Sequence, residues 1–237
     1  MGGPPGVEGM LERDGSARVP LGMGTTALVG GEPRPRGDKP AVAGEVAATL
    51  FAGLRRHLVD DGRWGRVRDF VVARDPAATE WIDSALPSDW VSVEHHVAVL
   101  RGLEDVSGIA ALREMGRERS RAVSVSGGLA PILRGWMRNY AQAPEHFVRV
   151  SPHVWSAATR GLGRLVRVPA PPSTGGGGYQ QFRTEGLPES ILEAKPWHAL
   201  LEGFGEGLIE LAGREGRAAL LPAAAYPGEM EMTFRWS

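Results

Sequence analysis

The sequence predicts an α+β domain in which a helical N-terminal part packs on a four-stranded antiparallel sheet. The C-terminal half runs strand, strand, helix, strand, strand. Three observations carry this reading. Met230, Met232, Phe234 and Trp236 alternate with Glu231, Thr233 and Arg235, the period of two that gives a strand one apolar face. Upstream, Trp197, Leu200, Leu201, Phe204, Leu208 and Leu211 recur at the 3.6-residue period of a helix that buries one side. Apolar residues keep the helical period from about residue 42 to residue 160, and the period then shortens at Gly163, where helices give way to sheet.

The first 40 residues are rich in Gly and Pro and hold no sustained period, so they read as a flexible tail. Residues 41–237 read as one α+β domain, with helices over 42–160 and the sheet with its crossover helix over 163–236. Val46, Leu50, Phe51, Leu54 and Leu58 form the stripe of a helix over Val42–Val59, which Asp60-Asp61-Gly62 ends. A second helix covers Trp64–Val72. Pro76 opens a third, with Trp81, Ile82 and Leu86 inward. Ser88-Asp89 can cap a fourth segment carrying Trp90, Val91, Val97, Leu100 and Leu103.

After Ser107 the pattern sharpens. Ile109, Leu112, Met115 and Gly116 form one side of a helix, and Arg113, Arg117 and Arg121 form an i, i+4 row on another. Ser126-Gly127-Gly128 breaks the chain before an amphipathic helix with Leu129, Ile132, Leu133, Trp136, Met137 and Tyr140 on its stripe; Arg134 and Arg138 lie off it. Glu145–Thr159 is helical with a break at Ser151-Pro152. Gly163–Val168 and Tyr179–Glu185 are the first two strands, around a Pro/Gly loop. Trp197–Ala212 is the crossover helix, and strands near Arg217–Leu221 and Glu229–Trp236 close the sheet. On the crossover helix Glu202, Glu206 and Glu210 lie one turn apart. Gly203 and Gly207, at i, i+4, each cost the helix up to about 1 kcal/mol but permit close approach of another backbone.

Composition narrows the function classes. The chain has no cysteine, which excludes disulfides, cysteine-ligated zinc, iron–sulfur centres and thiol catalysis, and fits a reducing compartment. No signal-peptide pattern and no apolar run of roughly 20 residues is present, so the expected location is the cytoplasm. Net charge is −1, yet residues 101–170 carry 11 basic against 5 acidic groups. That segment lacks aromatic residues interleaved on its basic face, which points away from nucleic acid.

Catalytic patterns are missing. Ser124-Val-Ser126-Gly-Gly128 is not Gly-x-Ser-x-Gly, and Gly175–Gly178 lacks the Gly-Lys-Ser/Thr ending of a phosphate loop. His146 and His153 are seven apart, but Pro152 interrupts the helix that would align them. Glu94, His95 and His96 point about 100° apart on a helix and cannot all face one ion. No catalytic residue and no metal site is therefore assigned, which weighs against an enzyme. Trp136, Tyr140, Phe147, Trp155 and Trp197, with His153, gather near the helix–sheet junction and are the candidates for lining a pocket for an apolar small molecule.

From about Leu86 to Trp236 the chain resembles the small-molecule-binding domain of 4-vinyl reductase type. That superfamily also holds the heme–nitric-oxide-binding domains and the TRAPP vesicle-transport subunits, and a paralogous set of myxobacterial proteins is closer still. The likeness rests on Trp90 before a helix, Leu112-Arg-Glu-Met-Gly116, and Pro152-His-Val-Trp155 followed by Gly161–Gly163. It rests above all on Glu210-Leu-Ala-Gly213 with Gly228, Glu229 and Phe234, at the spacing of the family's Cys-x3-Gly-Asp-x2-Cys-x-Phe. The two family cysteines fall at Ala224 and Met232, so any metal or redox role of that pair is absent. The Tyr-x-Ser-x-Arg motif that holds heme propionates in the nitric-oxide sensors is missing too. No cofactor is therefore expected, with heme kept as a minor alternative.

The resemblance implies a pocket between helices and sheet. It implies a non-enzymatic sensing or protein-interaction domain that signals through partner contacts, as a homodimer. A second reading is a ligand-free scaffold for a small Ras-like GTPase or another regulatory protein, with Arg113, Arg117, Arg121, Arg134 and Arg138 as the contact surface. A third is a small-molecule hydrolase or reductase.

Overall fold

The computed structural model describes residues 44–86, 88–125, 144–149, 151–169 and 177–237. The tail, the helix expected around Trp136 and Tyr140 with Arg134 and Arg138, and most of the Pro/Gly loop lie outside the described residues. In chain order the elements are β1 (Glu45–Ala47), α1 (Ala48–Asp60), α2 (Trp64–Arg74), α3 (Ala78–Ser84), β2 (Trp90–Ser92), α4 (Val93–Ser107) and α5 (Ile109–Val125). Then come α6 (Pro144–Arg149), α7 (Ser151–Ala158), β3 (Thr159–Arg160), β4 (Arg164–Val168), β5 (Gly178–Glu185), α8 (Glu189–Leu192), α9 (Lys195–Leu211), β6 (Gly216–Pro222) and β7 (Met230–Trp236).

The expected α+β architecture is present. The large sheet is antiparallel throughout, in the order β4-β5-β7-β6. Its register places Phe182 opposite Met232 and Leu220 opposite the same Met232, while Gln180 and Ala218 flank Phe234. Alternation therefore delivers Leu165, Phe182, Thr184, Ala218, Leu220, Met230, Met232 and Phe234 to one buried face. Phe182 and Phe234 meet edge to face, with centroids 5.8 Å apart. Thr184 is buried there without a polar penalty, because its Oγ1 donates to the Met230 carbonyl at 3.1 Å and accepts from the Met230 amide at 3.0 Å. Gly163, at φ +66°, lets the chain enter β4 beside the Glu185 carbonyl, a place and a backbone angle that a side chain would not tolerate.

A second, three-stranded sheet in the order β2-β1-β3 was not expected. Val46 sits in strand β1, opposite Val91 and Thr159, and the first helix begins after it, at Ala48. The cap of α4 is also corrected. Trp90–Ser92 is a strand, and Ser92, one turn later than the Ser88-Asp89 expected, accepts from the Glu94 amide at 3.3 Å. Asp89 instead closes a turn by accepting from the Leu86 amide at 2.8 Å. Strands of two or three residues complete at most one apolar–polar alternation, too little to separate from a helix start.

Helix α9 lies on the inner face of the sheet, and α5 lies against α9 with almost no side chain between them. A Cβ on Gly203 would come within 3.0 Å of Arg113 Cα, one on Gly207 within 2.8 Å of the Arg117 carbonyl, and one on Gly116 within 2.7 Å of the Phe204 amide. The glycines of both helices thus form the seam, as the Gly203/Gly207 spacing suggested. At that approach the acidic row of α9 meets the basic row of α5. Arg113 reaches Glu202 at 3.0 Å, Arg117 reaches Glu206 at 2.7 Å, and Arg121 pairs with Glu210.

Candidate functional site

The site is a cavity of about 120 Å³ where the helical layer meets the sheet. Both layers supply walls by ordinary periodicity. Leu50 and Leu54 come from α1, and Leu200, Leu201, Phe204 and Leu208 from the apolar stripe of α9. The sheet adds Met232 and Phe234, two residues apart on β7 and so on one face. Trp155 of α7 and Trp197 of α9 both line it and pack edge to face, with centroids 5.6 Å apart and planes at 84°.

Several residues of this lining also carry buried polar atoms. Among the described residues, seven buried side-chain nitrogen or oxygen atoms lack a hydrogen bond. Two of them, Arg183 Nε and Glu229 Oε2, face one another 2.9 Å apart as an ion pair. Of the other five, four belong to residues of this cavity: His96 Nδ1, Arg119 Nη1, Ser151 Oγ and Trp155 Nε1. Buried polar atoms without partners are uncommon enough in native proteins that four around one space mark it.

Local structure explains how each arrives. The apolar stripe of α4 runs Val93, Val97, Leu100, Leu103, and His96, three residues after Val93, falls on that side. It is 3 % exposed. Its neighbours turn away, His95 to stack on Trp81 at 4.2 Å and Glu94 to solvent. Burial, helped by the positive charge of Arg119, pushes the His96 imidazole down to about 3, so the ring is neutral. Arg119 follows Leu112 and Met115 along the buried side of α5. Its guanidinium rests beside Gly53 of α1, where a Cβ would lie 3.3 Å from Nη1 and 3.4 Å from Nη2. Burial lowers Arg119 to about 10, which leaves it charged at neutral pH. Ser151 and Trp155 stand one helical turn apart on α7.

Of the expected pocket residues, Trp155 and Trp197 meet in this cavity. His153 does not line it; its side chain is exposed and its carbonyl accepts from Ser156 Oγ at 3.0 Å. The side chain of Phe147, with Trp136 and Tyr140, lies outside the described residues. The expected contact surface is also redrawn. Arg113, Arg117 and Arg121 point at α9 and are answered there by Glu202, Glu206 and Glu210, while Arg134 and Arg138 lie outside the described residues. His96, Arg119 and Ser151 were not anticipated. The available signal was a polar residue at the spacing of an apolar stripe, visible for His96 and Arg119.

The described residues include no cluster of three or more His, Asp or Glu placed to hold a metal ion. Among them no helix is long and apolar enough to cross a membrane.

No family model and no curated protein matches the chain in sequence. Solved structures do match in shape. An unliganded Fe(II) H-NOX protein from K. algicida superimposes with a TM-score of 0.55 at 11 % identity, over 81 % of this chain and 96 % of that one. An H-NOX variant from T. tengcongensis gives 0.48 at 13 % identity, over 81 % and 96 %. A heme placed in the cavity just described would meet one histidine among the described residues, His96. Its Nδ1 has no hydrogen bond, and an imidazole nitrogen is the kind of atom that ligates iron. The space is the obstacle: a cavity of about 150 Å³ holds benzene, and a porphyrin is several times larger. The described walls do not fit the group. The comparison with the K. algicida protein establishes the fold: this chain has the α+β architecture of the heme–nitric-oxide-binding domains, one of the groups its sequence resembles.

Proposed function

We propose that the domain is a non-enzymatic receptor that encloses a small, largely apolar molecule between its helices and its sheet and signals occupancy through contacts with a partner. The observation that carries this reading is the apolar cavity, four of whose lining residues each carry a buried polar atom without a hydrogen bond among the described residues. An empty apolar space forfeits packing, and unpartnered polar atoms forfeit hydrogen bonds, so a core organised only for stability would keep neither. Trp155 and Trp197 are the aromatic walls, with Phe147, Trp136 and Tyr140 as further candidates. Heme is not part of the proposal, because the cavity between the described walls, about 120 Å³, is much smaller than a porphyrin. The scaffold reading lacks an observation of its own, since three of its five arginines are engaged inside the chain. The proposed setting is a cytoplasmic homodimer.

Native mass spectrometry of the full chain tests this, paired with thermal melting in the presence of neutral apolar probes such as benzene and hexan-1-ol. A retained small mass lost on denaturation, or a rise in melting temperature with a probe, is expected. A clean mass together with no shift by any apolar probe, neutral or charged, overturns the receptor reading.

A further inference from the structure

We infer that the cavity takes a small monocarboxylate, with its anionic head on Arg119 and a hydrocarbon body of about six carbons between Trp155, Trp197 and the sheet residues Met232 and Phe234. This rests on the receptor reading and adds the chemical class of the ligand.

The charge comes from a comparison along α5. Arg113, Arg117 and Arg121 each have a carboxylate of α9 within ion-pair distance. Arg119 has none among the described residues, and its Nη1 is shut off from solvent without a hydrogen bond. The acid nearest in sequence, Glu118, is turned to His57 at 3.4 Å. Arg119 is half-buried, and a cation drawn partly out of water with no anion beside it is unfavourable. On this wall an incoming anion supplies what the described residues do not.

Trp155 Nε1 and Arg119 Nη1 can only donate, whereas the Ser151 hydroxyl and the neutral His96 ring can donate or accept. No carboxylate lines the cavity among the described residues. With a fixed cation and no lining carboxylate, this wall favours an anionic polar end over an amine. The planar fork of Arg119 suits the planar carboxylate, which can take two parallel hydrogen bonds. The remaining wall is aliphatic and aromatic, so the rest of the ligand is hydrocarbon. Its size follows from the cavity, slightly smaller than one that holds benzene.

Isothermal titration of the full chain with hexanoate and with hexan-1-ol at pH 7.5 tests the inference. The two probes share a body and differ in the head. Partition from water favours the alcohol, so tighter binding of the acid reports the head alone. Hexanoate is expected to bind at least tenfold tighter than hexan-1-ol. Arg119→Gln is expected to abolish that preference while the alcohol still binds, and Arg119→Lys to keep part of it. Equal or better binding of the alcohol to the wild-type protein overturns the anionic head and leaves the receptor reading standing. A preference for hexanoate that survives Arg119→Gln overturns it equally. Binding of neither probe, nor of benzene, together with a clean native mass, removes the receptor reading itself. The wild-type comparison decides the point even if a variant does not fold.

Discussion

Arg113 of α5 holds Glu206 of α9 through two nitrogens, with Nε 3.0 Å from Oε2 and Nη2 2.5 Å from Oε1. Glu206 is 1 % exposed, and Arg117 joins the same carboxylate at 2.7 Å. Arg113 Nη2 also donates to the Ala218 carbonyl at 2.9 Å, which ties the helix pair to β6. Burial pushes the Glu206 carboxyl up, and the hydrogen bonds from Arg113 and Arg117 more than reverse this, holding it below its ordinary range. Glu206→Gln removes the charge and keeps the shape, leaving two arginines facing a neutral amide. Both arginines keep some solvent, so the expected loss lies near the lower end for a broken buried pair, about 3 kcal/mol. Urea unfolding followed by circular dichroism measures it; a loss below about 1 kcal/mol would show the pairs to be superficial.

Gly203 separates packing from propensity. Alanine is a better helix former than glycine by about 1 kcal/mol. Here a Cβ would run into the backbone of Arg113, with Arg113 Cα at 3.0 Å. Gly203→Ala is therefore expected to destabilise by at least 1–3 kcal/mol, the usual range for overpacking. Gly65→Ala on α2, where nothing lies within 4 Å of the new methyl, is expected to be neutral or to gain about 0.5 kcal/mol. Opposite signs in thermal melting confirm the glycine seam; equal signs refute it.

Stability should fall with acid before any carboxylate titrates. The unfolded chain protonates His96 below about pH 6.5, whereas the folded chain keeps it neutral down to about 3. Between those values the unfolded state binds the extra proton, so stability is full above pH 6.5 and drops by about 1.4 kcal/mol per pH unit below it. The groups that face His96 reinforce this, since Arg119 is cationic and no acid lines the cavity among the described residues. His198, lowered by burial against the opposing pull of the Ile191 carbonyl, adds a slope of the same sign. Glu206, with its lowered carboxyl, contributes only below about pH 4.5. Denaturation of wild type and His96→Leu at pH 7, 6 and 5 isolates the histidine: the variant should show a clearly shallower slope.

Thr184→Val tests the polar link inside the sheet face. The change keeps the shape and removes a hydroxyl that both donates to and accepts from Met230. A loss of about 1–3 kcal/mol is expected, because the Met230 amide and carbonyl stay buried after their partner is gone. Hydrogen exchange of the Met230 amide would rise in parallel.

The large sheet and α9 were legible because their periods are strong and long. Seven residues of alternation in β7 and a seventeen-residue stripe in α9 leave little choice of structure. The small sheet was not legible, since Glu45–Ala47 and Thr159–Arg160 are too short to declare a period. The two charged rows were each readable, but their meeting was not. It depends on three glycines from two helices removing the side chains between them, a fact of tertiary approach. The same limit hid the site. Trp155 and Trp197 are conspicuous in any sequence, whereas Arg119 resembles the other arginines of α5 until the fold shows that it alone of these four has no carboxylate among the described residues.

The cavity draws its wall from Val46 near one end of the described chain to Phe234 near the other. Such a wall exists only while both ends of the described chain are folded together, so a molecule seated there binds the native state and not the unfolded one. Its concentration therefore becomes part of the protein's melting temperature.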